Sequence, residues 1–221
     1  MEAARFEDLA EQVYRTLRDM ILVGTLSPGQ KLRQEALSET LGVSRTPLLA
    51  AFSKLEKEML VELVPRRGAF VKRLSAGELL QLYDVRLQLE PLGASEAADR
   101  INSAGIGLLD TVLESHRQAV ASGVATDVRV ADYRFHMAIV AIARNQVLER
   151  ILSSFAIVSK SNQSGIMKPA EKSLAEHVGL RDAIVTGNAA LAERLMYAHL
   201  LEARDAAARL AEAAPRTQAV Y

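Results

Sequence analysis

Cysteine and tryptophan are absent from this 221-residue chain, and the remaining aromatics are five tyrosines and five phenylalanines. Without cysteine there is no disulfide framework, zinc ribbon or thiol chemistry. So few aromatic rings argue against a stacking platform for single-stranded nucleic acid. Excess charge is missing as well, with 27 Lys and Arg against 27 Asp and Glu. No run is long and apolar enough to span a bilayer, and no apolar run follows a basic flank at the N-terminus. The expectation is a soluble cytoplasmic protein with an aliphatic core, long enough for one large or two small domains.

The zero net charge conceals a slight division. Residues 1–75 carry 12 Lys and Arg against 10 Asp and Glu, whereas residues 76–221 carry 15 against 17. Local clustering says more, since Arg66, Arg67, Lys72 and Arg73 crowd one short segment. Such charges can simply blunt a strand edge. Beside a presented helix they suit phosphates and the minor groove.

That helix is legible in residues 35–73. Leu37 and Leu41 give a short apolar face that Gly42 ends. Ser44 stands where it can cap the next helix, and Pro47 suits its first turn. Leu48, Phe52, Leu55 and Leu60 then fall near one face, leaving Ser44, Arg45 and Thr46 at an exposed N-terminal end. A helix so presented can enter a major groove with its first residues on base edges or phosphates. VELV and AFVK alternate like hairpin strands around Pro65, Arg66, Arg67 and Gly68. An earlier helix is predicted from Phe6 to about Val23, with Leu9, Val13, Leu17, Met20 and Ile21 buried, and GTLSPGQKL breaks it.

The LGVSRTP string, the Leu55–Glu56 pair and the PRRGAFV wing resemble the GntR family of bacterial transcription regulators. The resemblance implies a winged helix-turn-helix over residues 1–74 that binds double-stranded DNA through Arg33, Ser44, Arg45, Thr46, Arg66, Arg67 and Gly68. In this family the arginine of VSRTP contacts the operator, and the basic wing tip with its glycine enters the minor groove. The chain departs from the pattern at Leu49 and Ala50, where arginine and glutamate are common.

Beyond Ser75, whose spacing from Glu78 is that of a capping box, no period-two strand is found. Helical patterns cover 76–101, 105–122, 126–144, 146–162, 170–187 and 189–213, followed by a frayed tail at 216–221. The fold expected is mainly α, with an antiparallel helical bundle over 75–215. YDVRLQLEPLGASEAA, DYRFH with the later Asn145, and EHVGLRDAIVTGN with His199 resemble the FCD ligand-binding domain of the FadR-type branch.

All four histidines lie in this half. Asp132 and His136 share a helix face that continues through Ile139, Val140 and Ala143. His177 runs with Leu174, Leu180 and Ile184, and His199 with Ala192, Leu195 and Met196. These four would therefore point inward. A buried aspartate needs compensation, which a divalent cation supplies directly, and neutral imidazoles suit transition metals. In metal-binding FCD domains an aspartate and three histidines at these motif positions hold metal. The resemblance thus implies a site at Asp132, His136, His177 and His199, for zinc first and nickel or manganese after it. His116 belongs to no such motif and is expected to be a core histidine or a neighbour of the ligands.

Arg86 lies among apolar residues and can pair with Glu90 four residues on. By resemblance, an arginine here faces the effector cavity and meets a small carboxylate. A metallohydrolase is the rival class. Against it, Glu176 points about 100° away from His177 on the same helix. No HExxH, nucleophile elbow or phosphate loop occurs either. The expectation is a nucleoid-associated, homodimeric repressor that is not an enzyme. It would answer to a carboxylic acid bound at a metal, or to the metal itself.

Overall fold

The computed structural model describes residues 2–161 and 168–213, with side chains described over 9–153 and 168–213. The expected tail at 216–221 lies outside the described residues. The chain divides into two compact units, residues 1–73 with 154–163 and residues 74–153 with 164–221.

In the first unit, α1 (Glu2–Leu22), α2 (Gln34–Leu41) and α3 (Arg45–Lys57) pack beside a small sheet of β1 (Lys31–Leu32), β2 (Val61–Val64) and β3 (Gly68–Val71). Leu17, Ile21, Leu48, Phe52, Leu55 and Leu60 are almost wholly buried and form the core that fixes α3 against α1. Leu9 was expected in that core but stays exposed, a turn before burial begins at Val13. Gly42 takes a left-handed conformation that stops α2 and turns the chain into α3. Ser44 occupies the N-cap of α3, yet its side chain makes no capping bond among the described residues. One of the two amides that such a cap can use is missing, since the third helical residue is Pro47, which has no N–H to donate.

The sheet is antiparallel in the order β1–β3–β2, with Val64 opposite Gly68 and Leu32 opposite Ala69. β1 was not foreseen, because two residues cannot display an alternating pattern. At the hairpin tip, Arg67 N–H donates to Val64 O at 3.0 Å, and Arg66 sits at φ 62°. A side chain in that region is disfavoured relative to glycine. An arginine kept there places a cation at the outermost point of the wing.

The second unit contains α4 (Ala76–Arg100), α5 (Ser103–Ser122), α6 (Ala125–Ala143), the start of α7 (Gln146–Ser161) as far as Ser153, α8 (Ala170–Val185) and α9 (Ala189–Ala213). The capping box of Ser75 and Glu78 is formed, which satisfies two backbone donors at the start of α4. Asn102, Asn145 and Asn188 mark the breaks seen in the sequence. Their side-chain oxygens accept from the backbone N–H groups of Gly105, Leu148 and Leu191 and so begin α5, α7 and α9. α4 packs most extensively on α9 and also meets α6 and α8. Small residues make the approach close: Ala94, Ala97, Ala192 and Ala207 are buried, and a Cβ on Gly93 would stand 3.2 Å from Leu148 of α7.

Candidate metal centre and DNA-facing surface

α6 carries Asp132 and His136 one turn apart, α8 carries His177, and α9 carries His199. One donor atom from each lies within 4.8 Å of the other three. His177 Nε2 stands 3.4 Å from His199 Nε2 and 3.6 Å from Asp132 Oδ1, while His136 Nε2 is 3.9 Å from Asp132 Oδ2. Ligands of one tetrahedral zinc ion lie about 3.4 Å apart, given bonds of about 2.0–2.1 Å. The four donors therefore surround a space of the right size. The histidines are buried, whereas the Asp132 side chain remains 35% exposed and is less inward than its helix face suggested.

What lies behind the ligands is equally specific. His136 Nδ1 is 2.5 Å from Glu90 Oε2, and His199 Nδ1 is 2.7 Å from Glu176 Oε2. His177 Nδ1 meets His116 Nδ1 at 3.0 Å, and Ser173 Oγ donates to Asp132 Oδ1 at 3.1 Å. A carboxylate at Nδ1 holds the proton there and leaves the Nε2 lone pair facing the cluster, the arrangement that metal-ligating histidines need. His136 Nε2 is buried without a hydrogen-bond partner among the described residues. An orphaned nitrogen facing an aspartate and two imidazoles fits a divalent cation.

Glu90, Glu176 and Lys168 were not foreseen in these roles. Glu90 also binds Arg86 Nε, so the guanidinium is engaged by the carboxylate four residues on, and it lies 5.0 Å from the Tyr83 ring centroid. Lys168 Nζ binds Glu176 and donates to His199 O at 2.8 Å. Glu176 does point away from His177, as helix geometry requires. The same rotation brings it to His199, which no pattern within α8 could announce.

Burial pushes Glu90 upward, but Arg86 and His136 outweigh it and hold the carboxyl well below the usual range. Burial likewise pushes Asp132 upward, but the nearby imidazoles and Arg86 outweigh it, and this carboxyl is also lowered. Burial lowers His116, and lowers His177 further with help from the neighbouring imidazoles. It also lowers His199 against the opposing pull of Glu176. These rings stay neutral in the fold while an unfolded histidine protonates below about pH 6.5. The unfolded chain then binds more protons, so stability rises with pH through that window. The carboxylates, lowered in the fold, lose their contribution only at more acid pH. Metal-free protein is therefore expected to melt at a lower temperature at about pH 5.5 than at about pH 7.5. Equal melting temperatures would show that the histidines are not buried neutral.

On the first unit, Arg33, Ser44, Arg45, Thr46, Arg66, Arg67 and Gly68 are all exposed. Arg45 Nη2 is 2.8 Å from Glu35 Oε1 across the α2–α3 turn. The Arg67 guanidinium stands 5.8 Å from the Phe70 ring centroid, and Lys31 Nζ stands 5.9 Å from it on this small sheet. Lys31 joins the basic wing only through β1, which is why the linear pattern omitted it. Leu49 is 47% exposed, an apolar side chain on the outward face of α3.

The family model for bacterial regulatory proteins of the gntR family matches residues 9–71, and that for the FCD domain matches residues 81–202. The HTH-type transcriptional regulator LutR of Bacillus subtilis is 30% identical over 210 residues, spanning 84% of this chain and 95% of that protein. A second B. subtilis protein, the uncharacterized HTH-type transcriptional regulator YdhC, is 30% identical over 142 residues. That match spans 64% of this chain and 63% of YdhC, just under two thirds of its length. Among solved structures, a putative transcriptional regulator GntR from Rhodococcus sp. RHA1 superposes with a TM-score of 0.78 at 24% identity. It covers 93% of this chain and 99% of its own, a likeness of fold.

Proposed function

Since this chain belongs to the GntR family of bacterial regulatory proteins, in the branch that carries an FCD domain, and is a DNA-binding transcriptional regulator rather than an enzyme, we propose that it is a homodimeric repressor released by a small carboxylic acid bound at a metal. Residues 1–74 bind half of a pseudo-palindromic operator at the nucleoid, and residues 75–215 dimerise and bind the effector. Asp132, His136, His177 and His199 hold a divalent ion, zinc first and nickel or manganese after it. An ion so held offers its remaining positions to a carboxylate oxygen. Arg86 receives the other end of the ligand, where a paired charge escapes the penalty of burial.

The observation that carries this reading is the convergence of four donor side chains that are already bonded to Glu90, Glu176, His116 and Ser173. Dimerisation is supported by exposed apolar side chains at Val85 and Leu92 of α4 and Val147 of α7, since such surface favours burial against a second copy. DNA reading is supported by the exposed N-terminal end of α3, held by a buried core, with Arg45 oriented by Glu35. A second reading, in which the metal is itself the effector, is favoured by the bond between Arg86 and Glu90, which a carboxylate ligand must share.

The test is an operator titration at fixed salt, with duplex selected from a random pool. Arg45→Ala is expected to weaken specific binding by about 1–3 kcal/mol. In the wild type, the right organic acid shifts operator affinity by about 1–3 kcal/mol, and operator shifts acid affinity equally. If chelation alone moves the affinity and no acid does, the metal is the effector. Unchanged affinity for Arg45→Ala removes the docking scheme.

A further inference from the structure

The remaining histidine, His116 on α5, is fully buried and touches the cluster at one place, His177 Nδ1, at 3.0 Å. Two ring nitrogens at that distance share one proton. We propose that His116 is a positioning residue that sets the tautomer of His177 and so prepares it to bind metal; this rests on the metal site proposed above. His177 Nε2 faces His199 and Asp132. To offer a lone pair there, neutral His177 must carry its proton on Nδ1. That N–H donates to His116 Nδ1, which accepts only if the proton of His116 is on Nε2. The opposite arrangement, with His116 Nδ1–H donating, places a proton on His177 Nε2 and blocks metal.

His116 thus does for His177 what Glu90 and Glu176 do for His136 and His199, with an imidazole in place of a carboxylate. The choice changes the charge. A fourth carboxylate would add another negative charge to a site that already holds Glu90, Glu176 and Asp132, whereas imidazole accepts the bond and remains neutral. His116 Nε2 is itself buried without a partner among the described residues, so His177 is the neighbour that fixes this ring.

The experiment measures zinc affinity by competition with a chromophoric chelator for wild type, His116→Phe and His116→Asn. It also reads the tautomers of zinc-loaded wild type from ¹⁵N-labelled histidine spectra. Phenylalanine fills the space without an acceptor and is expected to weaken zinc binding about 10–100-fold. Asparagine, whose Oδ1 can stand where Nδ1 was, is expected to recover most of that loss. The spectra should show protons on His177 Nδ1 and His116 Nε2. Equal affinity in all three proteins, or asparagine no better than phenylalanine, overturns the assignment. So does a proton on His116 Nδ1 in the zinc form, a result that needs no variant to fold. If the wild type binds no zinc, the metal reading falls first and this inference with it.

Discussion

Replacing Glu90 with alanine is expected to destabilise the helical unit by about 3–5 kcal/mol, the range for removing one partner of a buried ion pair. Glu90 is buried and meets two groups at once, Arg86 through one oxygen and His136 through the other. Its removal leaves a guanidinium in the interior beside the Tyr83 ring without its bonded carboxylate, and takes away the acceptor at His136 Nδ1. The loss should appear above the ordinary glutamate range and shrink in acid, because a carboxyl lowered in the fold stabilises only where the unfolded carboxyl is ionised. Denaturant melts of the metal-free protein at neutral pH measure it. The double variant Arg86→Met, Glu90→Leu should recover much of the stability, since removing both charges removes the unpaired one. A single variant within about 0.5 kcal/mol of wild type, the scale of an ordinary surface change, would mean that water or rearrangement supplies what Glu90 supplies here.

His177→Ala is expected to remove stoichiometric metal while leaving a helical spectrum. His177 is the fully buried donor whose Nε2 stands against both His199 and Asp132, so its loss opens the middle of the donor set. Purified wild type should carry close to one divalent ion per chain, and chelation should lower its melting temperature, because only the folded chain holds the donors together. At free metal 100 times the dissociation constant, that linkage is worth about 2.7 kcal/mol. The variant should show no such shift, since it has little bound metal to lose. Elemental analysis that finds no metal in wild type after incubation with zinc, nickel or manganese would end the metal reading.

Sequence and tertiary structure contributed different parts of this picture. Periodicity located α1 and α4 to α9 to within about four residues, because an amphipathic helix writes its buried face at 3.6-residue spacing and asparagine or glycine writes its ends. The same spacing showed that Asp132 and His136 share a face. It could not show β1, whose two residues exist as a strand only because β3 runs beside them.

The linear chain determined that three histidines point inward, with an arginine beside a glutamate, and it overstated the burial of Asp132, which stays 35% exposed. Only packing between helices decided what each one meets. Glu90 lies 46 residues from His136, His116 lies 61 from His177, and Glu176 lies 23 from His199. A helix's own geometry gives the direction of a side chain from its axis and says nothing of what a neighbouring helix places there. That partner depends on crossing angle and axial offset, which are set by how α4 packs on α9, α6 and α8.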